Sequence, residues 1–249
     1  SSIKLDKTSA SILRGKTVTL KATVSPDDAA NKAVAWSSSD KKIATVDAKG
    51  VVTGVAKGTA TITAKAKDGS GVKATCKITV KQPVTKITLS KTSASILRNK
   101  TITLKATAGP SSANDKSVTW TTSNKKIATV NSKGVVKGIA KGTATITATA
   151  KDGSKVKAVC KITVRQPVTK LTINKTKLTV KKGKTATLKV TVAPSSANDK
   201  SLKWTTSNKN IATVTQKGVV KGIKTGTVTI TAAARDGSGK KVTCKITVQ

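Results

Sequence analysis

The chain has 249 residues, carries 48 Lys and Arg against 10 acidic residues for a formal net charge of +38, and contains no His, Tyr, Phe, Met or Glu. Those absences remove two common acid–base groups and, with three Trp as the sole aromatics, leave no stacking surface for sugars or nucleic-acid bases. The charge favours polyanions and acidic surfaces over cationic ligands, while Ala, Val, Ile and Leu in ordered patterns exclude a disordered polyelectrolyte.

One block, Val118 to Gly153, occurs three times. Trp36, Trp120 and Trp204 correspond, as do Cys76, Cys160 and Cys244, and the glycines Gly50, Gly134 and Gly218; each series advances by 84 residues. A period of that size is too long for a solenoid unit and suits a small β-sandwich, so three domains are expected at 1–82, 83–166 and 167–249. Their net charges are +9, +14 and +15. Ser1–Ser2 aligns with Thr85–Lys86, just after the Pro-Val that opens the later repeats, so the chain is expected to begin at a domain boundary. No segment approaches the eighteen or so apolar residues of a membrane span, and no signal-like apolar run opens the chain.

Within a repeat, Ile87 and Leu89 alternate with Thr88, and Ala94 and Ile96 follow across a short break. Ile102, Leu104 and Ala106 then alternate with Thr103, Lys105 and Thr107, which predicts one half-buried antiparallel strand. Pro110 ends it, and the segment PSSANDKS, repeated at Pro194–Ser201, predicts a surface loop. Val118 and Trp120 face inward on the next strand, as Val34 and Trp36 do in the first repeat. IATV, NSKG and VV predict a strand, a turn and a returning strand. Ala144, Ile146, Ala148 and Ala150 share one face of a long strand and Thr143, Thr145, Thr147 and Thr149 the other. After a turn at Asp152-Gly153-Ser154, Val156, Ala158, Cys160, Ile162 and Val164 lie on a single face. Short strands with turn signals about every ten residues, and no helical period, predict an antiparallel sandwich. Outward Thr suits strands, and outward Lys discourages edge-to-edge pairing.

The order Trp, Ser/Thr-Ser-Asn, Ile-Ala-Thr-Val, Gly-Val-Val-x-Gly and Gly-Thr-Ala-Thr-Ile-Thr resembles the bacterial immunoglobulin-like domain, group 2, in three tandem copies covering essentially the whole chain. The resemblance implies an all-β chain of three tandem immunoglobulin-like antiparallel β-sandwich domains. It also implies an extracellular or cell-surface bacterial or phage protein, in which such domains serve as stalk and adhesion modules, as in intimin- and invasin-like proteins. The family has no shared catalytic residues, and no lectin-like tip is present.

One Cys per domain cannot form a bridge within that domain. Parity with Ile78, Ile162 and Ile246 predicts that Cys76, Cys160 and Cys244 are inert core thiols beside Trp36, Trp120 and Trp204. Ser38 with Lys41 and Ser123 with Lys126 satisfy S-x-x-K, and Lys224 to Gly226 reads K-T-G, but none has the helical context those enzymes need. Asp residues fall mainly in turns and the linkers KQPVTK and RQPVTK carry no acid, so neither a metal nor a cofactor is expected.

The expected function is therefore a non-catalytic stalk or spacer and adhesion module of a bacterial cell-surface or secreted protein. The alternative is an electrostatic polyanion-binding module for teichoic acid, anionic glycan or nucleic acid. Partners would be anionic cell-wall polymers or host glycans met by the Lys-rich surface, with no sequence-specific nucleic acid, because Lys outnumbers Arg by 44 to 4 and reads charge more than geometry. A stripe of lysines would favour binding and an even spread would favour mere solubility. The chain is expected to be monomeric. Pro83 and Pro167 restrict Gly-free linkers, so an extended array of roughly 30–40 Å per domain is expected.

Overall fold

The computed structural model describes residues 2–27 and 29–249, so the Ser1 end of the boundary expectation lies outside the described residues. The chain divides into two compact units, Ser1–Ser90 with Lys105–Thr121 and Thr147–Val159, and Lys91–Leu104 with Thr122–Ile146 and Cys160–Gln249. The division passes through the second repeat. Every regular element among the described residues is a strand.

The first unit contains the whole first repeat, whose nine strands are β1 (Ser2–Leu5), β2 (Ser9–Leu13), β3 (Thr17–Thr19), β4 (Ala22–Ser25), β5 (Val34–Ser38), β6 (Ala44–Val46), β7 (Val51–Gly54), β8 (Gly58–Ala66) and β9 (Lys73–Lys81). One sheet has the order β2-β9-β8-β5, a second β3-β7-β6, and β1 pairs with β4. Ala60, Ile62 and Ala64 of β8 and Cys76, Ile78 and Val80 of β9 point inward and pack with Leu5, Leu20, Ala44 and Val52. Their outward neighbours are Thr and Lys, so strand alternation and burial agree. The same unit holds an apolar cluster of Val84, Ile87, Ala108, Ala113, Ala148 and Ala150 from the start of the second repeat.

In the second unit the third repeat repeats this plan. Lys177–Val180, Lys241–Val248, Gly226–Ala234 and Leu202–Thr206 form its four-stranded sheet in that order, and Thr185–Thr187, Val219–Gly222 and Ala212–Val214 its three-stranded one. Trp204, Leu188, Ile230, Cys244 and Ile246 are among its core residues.

Two features refine the sandwich read from the sequence. Each repeat contains one parallel pair: β2 with β9 (Ser9↔Lys77 to Leu13↔Lys81), Ser93–Leu97 with Lys157–Arg165, and Lys177–Val180 with Lys241–Val248. The break after the first strand is where the chain crosses from the β1–β4 pair to the edge of the four-stranded sheet. Periodicity reports which face is buried and carries no information about which strand lies alongside. The predicted single strand through Ile102, Leu104 and Ala106 is also two strands. Thr101–Thr103 pairs with Val135–Gly138, and Ala106–Gly109 pairs with Lys86–Leu89. Leu104, at the break, stays buried and its amide donates to the Gly134 carbonyl at 2.9 Å. The apolar alternation continues across the change of partner, which is why the break is silent in the pattern.

Candidate functional site

Cys76, Cys160 and Cys244 are unpaired and 0% exposed. Burial pushes all three thiols above the usual cysteine value, so at neutral pH they are protonated and poorly nucleophilic. Trp204 is buried and Trp36 and Trp120 are partly buried. The Trp36 ring lies over Gly50, where φ is +76° and an added Cβ would fall 2.5 Å from the Leu20 carbonyl and 2.9 Å from Trp36 Cζ2. Gly218 stands in the same relation to Trp204. The recurring glycine is thus required both by its backbone conformation and by the ring above it.

Beside each of these two Trp a shallow groove opens along the sheet edge. It is lined by Trp36, Ser37, Ser38, Lys41, Thr45 and Val46 in the first repeat, and by Trp204, Thr205, Thr206, Lys209, Thr213, Val214 and Gln216 in the third. Ser38, of the S-x-x-K pair, donates its hydroxyl to the Ala44 carbonyl at 2.6 Å. Ser123 Oγ accepts the Thr145 amide at 2.9 Å. Both hydroxyls cap backbone. In the third repeat Gln216 reaches the edge strand, accepting from the Trp204 amide at 3.2 Å and donating to its carbonyl at 3.1 Å. Among the described residues no group of three or more His, Cys, Asp or Glu could hold a metal ion.

Further polar groups converge where one repeat enters the next, and sequence reasoning missed them. In the first unit the Gln82 amide donates to Asn114 Oδ1 at 2.7 Å, and the Asn114 amide returns a bond to the Gln82 carbonyl at 3.1 Å. Two residues on, the Val84 amide donates to Asp152 Oδ2 at 2.5 Å, while the Ser154 amide donates to Asp152 Oδ1 at 2.9 Å. Lys57 Nζ donates to the Ser112 carbonyl at 3.0 Å. The second unit repeats the clamp with Gln166 and Asn198, and with Val168 and Asp236 at 2.6 Å. Partial burial raises the carboxyls of Asp152 and Asp236, but the Ser154 or Ser238 side chain and the Val84 or Val168 amide outweigh it and hold both below the ordinary value. The signal was present in the repeated PSSANDKS and DGS segments: in the first repeat Ala30 stands where the later repeats have Asn114 and Asn198.

The charge is also arranged. Among the described residues no strand carries an acid. The outer face of the four-stranded sheet bears Lys65, Lys73, Lys77 and Lys81 in the first repeat and Lys177, Lys203, Lys241 and Lys245 in the third, all exposed. The strands of the other layers carry only Lys4 in the first repeat, and Lys170 and Lys221 in the third.

The model of the bacterial Ig-like domain (group 2) matches residues 1–78, 83–160 and 167–246. An uncharacterized protein of Clostridium acetobutylicum is 35% identical over 168 residues, 68% of this chain and 17% of that protein. The Ig-like virion protein of Serratia phage KSP90 is 38% identical over 154 residues, 60% of this chain and 59% of its own length. An α-L-arabinofuranosidase of Bifidobacterium longum is 61% identical over 61 residues, which are 24% of this chain and only 6% of the enzyme. Among solved structures, the titin fragment I67–I69 aligns over 100% of this chain and 98% of its own at 13% identity and a TM-score of 0.45. The chain spans a small part of most of these relatives and matches them through repeats of this one kind. With three consecutive matches over nearly all of its residues, the chain belongs to the bacterial Ig-like domain (group 2) family.

Proposed function

We propose that this chain is a load-bearing spacer, a non-catalytic stalk and adhesion module of an extracellular or cell-surface protein. The observation that carries the reading is the parallel pairing of each repeat's early and last strands. β2 lies beside β9, bracketed by the Lys77 amide on the Thr8 carbonyl and the Arg14 amide on the Lys81 carbonyl, each at 2.9 Å. The third repeat does the same, with the Lys245 amide on Thr176 at 2.8 Å and the Lys182 amide on Gln249 at 2.6 Å. Tension on the two ends of such a repeat pulls parallel neighbours in opposite directions. All the bonds of the pair are then strained together, instead of opening one at a time from an end. The polar clamps on Gln82 and Gln166 hold each linker where that tension passes. The family membership and the phage virion relative support a structural, non-catalytic role.

Single-molecule stretching of the whole chain tests this. Three separate unfolding events are expected, each releasing one repeat, about 300 Å of extended chain at roughly 3.6 Å per residue. Arg14→Pro, which deletes the amide bonded to Lys81, should lower the force of one event and leave the other two unchanged. Low-force, gradual extension of the unaltered chain would refute the load-bearing reading.

A further inference from the structure

We propose that the outer face of the four-stranded sheet is a docking face for a linear anionic polysaccharide, an inference independent of the load-bearing role. It begins from the registers. In the first repeat Lys65 lies directly opposite Lys73 across β8 and β9. In the third, Lys177 lies directly opposite Lys245 across the parallel pair, and Lys203 and Lys241 flank Ala233 in one cross-strand row. Like charges opposed on a sheet destabilise it unless something of opposite charge lies between them.

The lysines of the other layers avoid this arrangement. Lys4 faces Thr23, Lys86 faces Gly109, Lys170 faces Ala193, Lys137 faces Thr101 and Thr129, and Lys221 faces Thr185 and Thr213. Among the described registers the opposed pairs are confined to this face, and no acid lies on its strands. Sites that violate a local rule are where a ligand is expected to supply the missing compensation.

The geometry selects the partner. Lys241 and Lys245 are four residues apart, about 13 Å along the strand, and neighbouring strands add lysines at intervals of about 5 to 10 Å. That is a strip of ammonium groups matched to anionic groups repeating along a chain. Between them stand hydroxyls: Thr227, Thr229 and Thr231 on one strand, Thr243 and Thr247 on the next, and Thr179 on the edge. These donate to and accept from the hydroxyls of a sugar polymer. The face has no aromatic ring to stack a base and no Arg fork in the third repeat to grip a phosphate, so a nucleic acid is the poorer match.

The test uses the full chain and two variants of equal net charge. One replaces with Gln the face lysines Lys65, Lys73, Lys77, Lys177, Lys203, Lys241 and Lys245, together with the exposed Lys157 and Lys161, which lie on the face opposite Cys160 and Ile162 on the last strand of the second repeat. The other replaces nine exposed turn lysines, Lys16, Lys41, Lys49, Lys100, Lys125, Lys133, Lys184, Lys209 and Lys217, with Gln. Binding to heparin is measured across a salt series, with duplex DNA at matched charge as a second probe. The face variant is expected to lose at least about tenfold in affinity and most of its salt dependence, because several simultaneous ion contacts vanish together. The turn variant should lose less than about threefold. The single change Lys177→Gln keeps the proposal open to refutation if the nine-fold variant does not fold: it should raise the melting temperature and still weaken heparin binding. Equal losses from both nine-fold variants, or unchanged heparin binding by Lys177→Gln, would overturn the assignment of the face. Duplex DNA bound as tightly as heparin would overturn the polysaccharide.

Discussion

In the first repeat the Lys21 amide is held by the Asp6 carboxylate at 2.8 Å; in the second and third, the equivalent amides of Lys105 and Lys189 are held by Ser90 Oγ at 3.0 Å and Asn174 Oδ1 at 2.9 Å. Asp47, which accepts the amides of Lys49 and Val51, is replaced by Asn131 and then Thr215, with the same two amides bound. Asp40, on the Lys42 amide, gives way to Asn124 and Asn208. What these turns need is an oxygen in the right place, and its charge is dispensable. Exchanging the carboxylate for a neutral oxygen keeps the turn and removes a negative charge. These three exchanges supply three of the five charges by which the second repeat exceeds the first (14 − 9), and three of the six by which the third does (15 − 9). Of the acids in the later repeats, Asp115 and Asp199 serve the turn that Asn31 serves in the first, whereas Asp152 and Asp236 stand where the first has Asp68. Asp152 and Asp236 take two amides from different segments, one of them in the incoming linker.

The repeats differ most in energy at their tryptophans. Trp204→Ala should destabilise the third repeat by about 3–5 kcal/mol, the range for a large buried ring. Trp36→Ala should lose about 1–2 kcal/mol less, because Trp36 is partly exposed and Ala48 stands where Gln216 closes the edge over Trp204. Urea unfolding of each variant measures the difference, and equal losses would show that closure by Gln216 contributes nothing.

A smaller effect separates two glycines of the first repeat with nearly the same φ, +76° at Gly50 and +79° at Gly15. Gly15→Ala meets no atom within 4 Å, so it should cost only the backbone strain, about 1 kcal/mol. Gly50→Ala adds a collision with the Leu20 carbonyl and the Trp36 ring and should cost about 2–4 kcal/mol. Thermal melting of the two variants distinguishes strain alone from strain with overlap.

Asp152→Ala and Asp236→Ala should each destabilise by about 1 kcal/mol, a charge-assisted bond discounted for partial exposure. Both carboxyls titrate below their ordinary value in the folded chain. Their contribution is therefore complete above the unfolded carboxyl value of about 3.9 and is lost as the pH falls through the folded values. Stability measured from pH 6 down to pH 2 should fall less steeply in Asp152→Asn with Asp236→Asn than in the unaltered chain. The smallest effect is expected from Asp6→Ser, Asp40→Asn and Asp47→Asn, which copy the later repeats. Their combined change in stability should stay within about 0.5–1 kcal/mol while heparin binding tightens. A loss above 2 kcal/mol would mean that the carboxylate charge itself holds these turns.

Residue order carries the three-fold repeat, the strand character and the inward face of each strand. The 84-residue period and two-residue alternation are properties of residue order, and burying one face of a strand leaves its mark on every second residue. It also determined that Cys76, Cys160 and Cys244 share the face of Ile78, Ile162 and Ile246. Which strands lie side by side is settled only by how the chain packs. The crossing between sheets after Leu5, the parallel place of β2 and the break at Leu104 all leave the alternation unchanged, so no pattern of polar and apolar residues could announce them. The clamp of Asn114 on Gln82 joins residues 32 apart, and that of Asp152 on Val84 joins residues 68 apart. The opposition of Lys177 and Lys245 depends on register. Each lysine alone reads as an ordinary solvated side chain, and only pairing across strands brings two of the same charge face to face.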